Sequence, residues 1–571
     1  MSRPTSNIQK FVDDSTMIRV DHIPVVARMC HRLGLIEIIN KNIPCNTDTD
    51  PGTLVTGMIC DTLSGRSPLY KVEDFIAEQD PELLFGTPVN PRSFNDDALG
   101  NTLDRIHAKG TLKLFTEVSL KAAQTFNLNT SQCSFDTTSV PLWGDYTNSQ
   151  PNKKAPHITY GYSKDKRPDL KQFMVSMLCV EGNIPISGKM QNGNSSDDKL
   201  NNEELQRIAR LLKPLGENIT ELTYIADCKL ISPDNLNLLD DLQFISRLPA
   251  NYKEHNRVID QSIQSNNWKN IGTLAQTPSP SKNRQRAHYK AHETNLTISE
   301  KTYRAIVIQT DHLDKRRTKA IEKACLKEEK HTNKTITAAM KKTCHCRSDA
   351  EKSLQTLTQK NKTTYWHITG KVKQTPLHAP GRAPKNGTRK ITGYKYHLHL
   401  QLKENTPYHQ AKLTRAGCFV MITNIPLEKQ PSHEILKAYK NQYGVEQNFS
   451  FLKEPLIAND TFLKNPERID ALTFILLVSL MIWNLLQREL RNSQQVTQKK
   501  LKDLNRRPTQ RPTSYLLMSH LSGAIILRYG NRRHLPRNGL KPQGLHYLQA
   551  TGFDTTIYTT PPPPHKTQRY P

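Results

Sequence analysis

At 571 residues, the chain exceeds what a single core of ordinary size organises, and roughly four units of ~150 residues is the starting expectation. Lys and Arg total 80 against 53 Asp and Glu, a net charge of +27, which suits a polyanionic partner, nucleic acid first. Hydrophobic residues make up 36% of the chain and gather in long apolar runs, so the composition excludes a disordered chain. Met1 to Val20 carries Arg3, Lys10, Asp13 and Asp14 and no apolar core, which predicts no secretory leader and a cytoplasmic protein. The ten cysteines are scattered, the usage of reduced thiols rather than of a disulfide framework.

From Val20 to Phe126 apolar residues recur at helical spacing, as in Val25, Val26, Met29, Cys30 and Leu33, and predict a helical N-terminal region over 1–125. At Cys133 the texture changes. Cys133–Val140, Gln172–Val180 and Ile184–Met190 read as three strands, Asp198–Leu215 as a helix, and Leu222–Asp227 and Leu242–Ser246 as two further strands. A β-β-β-α-β-(α)-β order over 126–250 predicts an α/β fold.

Residues 251–414 turn basic. From Lys315 to Lys395 there are 21 Lys and Arg against 5 Asp and Glu, so 16 of the 27 net charges sit in 81 residues. Tyr394, Tyr396, Leu398, Leu400 and Leu402 alternate with polar residues as a half-buried strand, and Thr364–Ile368 and Cys418–Thr423 also read as strands, which predicts a β-rich segment. Helical texture returns from Ser432 within a segment placed at 415–500. Ala471–Leu486 has no charge for 16 residues, but is short for a bilayer and contains Thr473, Ser479 and Asn484, so it reads as a buried core helix with no membrane role. Residues 501–571 read as a basic end with a Pro-rich, extended and mobile tail around Pro561–Pro564.

Tyr439, Glu446 and Lys453 are spaced seven and seven, which on one continuous helix makes a polar stripe opposite Val445, Phe449 and Leu452. Asp136 falls within the first predicted strand and Asp227 ends the fourth. Each aspartate alone is an ordinary turn or cap residue. Together with a helix glutamate they form an oxygen donor set of the kind that Mg²⁺ prefers, and two such ions hold the attacking and leaving oxygens of a phosphodiester displacement. Cys344-His345-Cys346, with Cys325 and His331 upstream, has metal-type residues but lacks the paired spacing of a structural zinc site.

The order of elements and the acidic triad resemble the RNase H-like catalytic domain of DDE transposases of bacterial insertion sequences, YREK-motif group, whose helix carries Tyr-(2)-Arg-(3)-Glu-(6)-Lys. Tyr439, Glu446 and Lys453 match, and Gln442 stands in the place of Arg, where a neutral amide cannot supply a guanidinium fork. Further similar segments run from Asn95–Gly100 through Gly161–Gln172, Gly193–Asp197, Phe244–Pro249 and Phe451–Pro455 to Asn465–Ile469. The resemblance implies an RNase H-like mixed sheet flanked by helices, interrupted by a basic β-rich insertion, with a helical N-terminal domain. Such an insertion accounts for the 219 residues from Asp227 to Glu446, against 91 from Asp136 to Asp227. It further implies Asp136, Asp227 and Glu446 as catalytic ligands of two Mg²⁺ ions, with Mn²⁺ as a substitute, and DNA contacts at Tyr439, Gln442 and Lys453. Lys164, Arg167 and Lys171 lie on a charged loop that is either a hairpin loop or a DNA-facing edge. Trp366 is either a packing aromatic or a platform for an extruded base. The partners implied are double-stranded DNA, as terminal inverted repeats and target, and a second copy of the chain in the DNA complex. An RNase H-like nuclease that cuts without joining and a catalytically inactive DNA-binding descendant are the alternative readings.

Overall fold

The computed structural model describes residues 14–565 apart from 45–46, 66, 145, 147–154, 216–218, 275–285, 312–314, 361–362, 383–386, 388 and 454–462. The chain forms two units, one from residues 1–249 and 422–571, the other from 250–421.

The first unit contains a mixed α/β sheet. Strands β2 (Gln132–Leu142), β3 (Lys171–Cys179), β4 (Pro185–Gln191), β5 (Thr223–Ala226) and β6 (Gln243–Arg247) lie in the order β4-β3-β2-β5-β6. The pairs β2/β3 and β3/β4 are antiparallel, while β2/β5 and β5/β6 are parallel. The parallel strands require a crossover, and helix α6 (Asp197–Leu212), whose Leu200, Leu205, Ile208 and Leu212 are buried at helical spacing, supplies it between β4 and β5. Where the chain re-enters this unit, Asn424 grips β6, accepting from the Phe244 N–H at 2.9 Å and donating to the Leu242 carbonyl at 2.7 Å.

The helical N-terminal region contains α1 (Ile23–Arg32), α2 (Leu35–Asn42), α3 (Pro51–Thr62), α4 (Asp96–Lys109) and α5 (Thr111–Phe126). Two caps start its helices: Asp50 accepts from the Thr53 N–H at 2.9 Å and Asn95 from the Ala98 N–H at 2.9 Å. The C-terminal part contributes α7 (Ser432–Asn441), α8 (Tyr443–Leu452), α9 (Pro466–Thr497) and α10 (Ser514–Leu521). Helix α9 is the apolar helix expected near Ala471–Leu486. It is long and apolar enough to cross a membrane, yet 83% of its most apolar stretch is buried within the protein, packed on β4, α4 and α5. Arg468 forks onto Asp104 at 2.9 and 2.8 Å, and Asp470 accepts from Thr111 Oγ1 at 3.1 Å and pairs with His107 Nδ1 at 2.9 Å.

The end of the chain differs from its expected description. Ile525–Tyr529 (β7) pairs antiparallel with Ser15–Arg19 (β1) and with Arg532–His534 (β8). The buried Arg533 forks onto Asp80 at 2.6 and 2.8 Å and reaches Glu82 at 2.7 Å. Nor is the Pro-rich segment free as far as His565. Tyr558 is fully buried and donates to the Asp21 carbonyl at 3.0 Å, and His565 lies buried with Nε2 2.9 Å from Asp50 Oδ2. A carboxylate that can both cap α3 and bind an imidazole gives the tail a docking point that its proline content does not reveal.

In the second unit, strands Lys269–Thr273, His288–Ile298 and Lys301–Thr310 form successive antiparallel pairs. Trp366–His378 and Ile391–Glu404 form a long hairpin whose Ile368, Leu398 and Leu400 pack on Ile336 and Ala350. Those last two residues belong to helices Lys315–Met340 and Arg347–Lys360. The expected β-rich segment is therefore mixed. Its most basic stretch is largely helical because Lys, Glu and Ala are strong helix formers, and the charge conceals the narrow apolar face.

The His565–Asp50 pair makes the tail's docking pH-dependent. The hydrogen bond to Asp50 raises the His565 pKa above its ordinary 6.5; burial pushes Asp50 up, but hydrogen bonds from His565, the Thr53 N–H and Asn40 together outweigh it and hold Asp50 down at about 2 against 3.8. Stability from the histidine is therefore complete below about 6.5 and is lost as pH rises through its raised value, and that from the aspartate is lost as pH falls from 3.8 toward 2. His565→Gln should cost about 1.5–3 kcal/mol of unfolding free energy at pH 6, and clearly less at pH 9. Denaturant melts at the two pH values check this, and an equal loss at both would contradict it.

Candidate active site

Two aspartates lie where a pair of neighbouring parallel strands ends. In the parallel pair of β2 and β5, Phe135 lies opposite Ala226, so the next residues, Asp136 and Asp227, emerge side by side at the C-terminal end of that pair. This is the end of a parallel sheet at which ligands generally bind. Asp136 continues in β2, where it pairs with Met177 of β3 and its Oδ1 accepts from the Thr137 N–H at 2.7 Å. Asp227 begins a short 3-10 turn and its Oδ1 accepts from the Lys229 N–H at 2.9 Å.

Both carboxyls are half-buried and poor in compensating charge. Burial pushes the Asp136 pKa from 3.8 up to about 7, Lys164 and the Thr137 N–H oppose the rise, and Asp227 and Asp197 add to it. Burial likewise raises Asp227, with Asp197 adding to the rise. Asp197 opens α6 and was given no role from the sequence. It accepts from the Thr137 hydroxyl and lies 3.3 Å from Lys164 Nζ. Its only sequence signal is its place at a helix start beside Ser195 and Ser196, which also fits simple capping.

The helix motif is arranged differently from a single stripe. Residues 432–452 form two helices, α7 and α8, that meet at Gln442, and Lys453 caps the second. Tyr439, Glu446 and Lys453 thus share no continuous helix. Gln442, expected to touch DNA, is instead 8% exposed and turned inward, its Nε2 donating to the Phe135 carbonyl at 3.1 Å. That bond ties the start of α8 to the residue before Asp136. Glu446 lies one turn later, exposed, in the first turn of α8. Tyr439 is half-buried; burial raises its pKa to about 12, Arg247 opposes the rise, and the charges of Asp227, Cys228 and Asp136 add to it. Among the described residues, Asp136, Asp227 and Glu446 do not come within 4.8 Å of one another as a set.

A buried amide network fixes α8. Asn448 donates to the Asn183 carbonyl at 2.7 Å, and Asn484 of α9 donates to the same carbonyl at 2.9 Å and to Asn448 Oδ1 at 3.0 Å. Asn183 sits in the β3–β4 turn with a positive φ of 60°, and Gly444 lies so close that a Cβ there would overlap its carboxamide. The sequence contains these asparagines without any pattern that pairs them.

The loop before β3 is seated by Gln172, whose Nε2 donates to the Gly193 carbonyl at 2.8 Å; a Cβ on Gly193 would overlap the Gln172 carbonyl. Within this loop Lys164 Nζ donates to the Thr137 carbonyl at 2.6 Å, and Asp165 pairs with Lys453 at 2.6 Å. Arg167 pairs with Asp169 at 2.6 Å and stacks 4.6 Å over Trp143, while Lys171 opens β3 and is half-buried. Lys164 and Lys453 thus join this loop to β2 and to the end of α8. Trp366 belongs to the second unit, where its Nε1 donates to the Cys325 carbonyl at 3.2 Å.

Gly444→Ala should force Asn183 aside and destabilise the protein by about 1–3 kcal/mol, the ordinary cost of overpacking. Asn183→Gly, which removes the overlapping carboxamide and favours the positive φ, should recover most of that loss in the double variant. Thermal melts of the four combinations check the coupling, and additive losses would contradict it.

Two family models match the chain. Residues 15–120 match one described as a domain of unknown function, DUF4277, and residues 133–485 match one described as a transposase DDE domain. No curated protein matches. The second match spans β2 to α9, contains Asp136, Asp227 and Glu446, and covers more than half of the chain, which belongs to the transposase DDE family.

Proposed function

We propose that the chain is the transposase of a bacterial insertion sequence of the YREK-motif group, cutting DNA at the element's ends and joining the freed strands to target DNA. The observation that carries the reading is the emergence of Asp136 and Asp227 side by side from parallel strands, with Gln442 seating the Glu446 helix on the first of them. In this reading the sheet of the first unit is an RNase H-like core, 126–250 and 415–500 are its two parts, and 251–414 is an insertion whose positive charge faces DNA.

Asp136, Asp227 and Glu446 would hold Mg²⁺. The donor set fits: all three are hard carboxylate oxygens, and Asp136 and Asp227, raised by burial with Asp197 adding to both, are groups whose ionised forms a divalent cation would favour. Bound Mg²⁺ supplies an activated nucleophile and stabilisation of the charge that develops on the phosphoryl oxygens. The protein orients the acidic groups through the Gln442 and Asn448 contacts. Lys164 and Lys453, now paired to Asp197 and Asp165, would exchange those carboxylates for DNA phosphates. Gln442 acts as a positioning residue. Tyr439 would position the DNA backbone, and Arg167 and Lys171 would contact DNA along the loop before β3. Two copies of the chain holding two element ends in the bacterial cytoplasm complete the reading.

The test is strand cleavage and strand transfer on a duplex bearing the element's terminal repeat. Mg²⁺-dependent cutting and joining should fall by at least about 1,000-fold in Asp136→Asn, Asp227→Asn and Glu446→Gln, with binding to the repeat retained. Cutting without joining would replace this reading with that of a nuclease, and tight binding with no cleavage in any metal with that of an inactive DNA-binding protein.

A further inference from the structure

The second unit gathers three metal-type side chains that the sequence holds 84 residues apart. Cys325 in helix Lys315–Met340, Glu404 at the end of strand Ile391–Glu404 and His409 in helix Thr406–Ala416 bring one donor atom each within 4.8 Å of the others. Cys325 is buried, and His409 Nδ1 lies 2.7 Å from Glu404 Oε1.

The frame around them is built from side chains and backbone alike. Asn405, between strand and helix, donates to the Thr364 carbonyl at 2.9 Å, and its N–H donates to the Tyr365 carbonyl at 2.7 Å. The Tyr365 ring meets His409 edge-on at 5.9 Å. The neighbouring carboxylate Glu328 is committed elsewhere, its Oε1 accepting from the N–H groups of Thr364 and Tyr365 at 2.7 and 2.9 Å. Trp366 Nε1 holds the Cys325 carbonyl.

We propose that Cys325, Glu404 and His409 form a zinc site, distinct from the three carboxylates of the proposed catalytic centre, that staples helix 315–340 to the start of helix 406–416. The donor set selects the metal. A thiolate with an imidazole favours Zn²⁺ over the hard ions Mg²⁺ and Ca²⁺, and three protein ligands leave one position of a tetrahedron for water. Binding replaces protons: the Cys325 thiol releases its proton to solvent, and the imidazole gives up its hydrogen bond to Glu404 as one ring nitrogen donates its lone pair to the ion. The Cys344-His345-Cys346 run, which lacks the paired spacing of a structural zinc site, is drawn into no such group among the described residues; Cys346 Sγ instead accepts from the Asp349 N–H at 3.4 Å.

The experiment uses the full chain, stripped with chelator and titrated with Co²⁺ and Zn²⁺ in excess Mg²⁺. Co²⁺ should produce an intense near-ultraviolet thiolate-to-metal band that Zn²⁺ abolishes. Cys325→Ser should remove the band, His409→Ala should weaken binding by about 100-fold, and Cys344→Ser and Cys346→Ser should leave it unchanged. On the unaltered chain, Zn²⁺ should protect Cys325 from alkylation, a measurement independent of whether any variant folds. Absence of the band, its survival in Cys325→Ser, or equal alkylation of Cys325 with and without Zn²⁺ would overturn the proposal.

Discussion

The candidate active site depends on how a short helix is held against a sheet. Helix α8 carries Glu446, has only ten residues and could not keep its place by intrinsic propensity. Two polar anchors fix it: the Gln442 amide on the backbone of β2 and the Asn183–Asn448–Asn484 network at the β3–β4 turn. Both are buried, and an unmade hydrogen bond there costs more than a made one gains, so each anchor specifies one position rather than merely favouring it. The bond to the Phe135 carbonyl makes the placement of Glu446 and of Asp136 a single constraint.

The same economy extends outward. Helix α9 contributes Asn484 to the network and buries its apolar length on β4, α4 and α5, and α5 also meets β4 directly, with Ser119 Oγ donating to the Ile186 carbonyl at 2.7 Å. The C-terminal segment closes the unit by pairing β7 with β1 and by setting the Arg533 fork on Asp80 and Glu82. Burial is the main cause of the raised pKa values of Asp136 and Asp227, and neighbouring carboxylate charge adds to the rise.

What could be read in the sequence was whatever is periodic or local. The strands of 132–247 and the helix between them follow from runs of β-branched and apolar residues, with Asp136 inside the first run and Asp227 at the end of the fourth. The break at Gln442 has no such signature, since a spacing of seven and seven fits one helix as well as two. Asn183 lies 265 and 301 residues from Asn448 and Asn484 and meets them only in the folded chain. Asp197 was hidden because an acidic residue at a helix start is an ordinary cap. The helices of 315–360 were masked by their charge, and the pairing of β1 with β7 joins segments at opposite ends of the sequence, Ser15 with Tyr529.

The central claim, that Asp136, Asp227 and Glu446 share one metal centre, is tested most directly by substituting Fe²⁺ and letting locally generated hydroxyl radicals cut the protein chain. The account predicts cuts clustered close to residues 136, 227 and 446, all suppressed together by Mg²⁺. Cuts near one or two of these positions alone, or cuts that Mg²⁺ leaves unchanged, would contradict it.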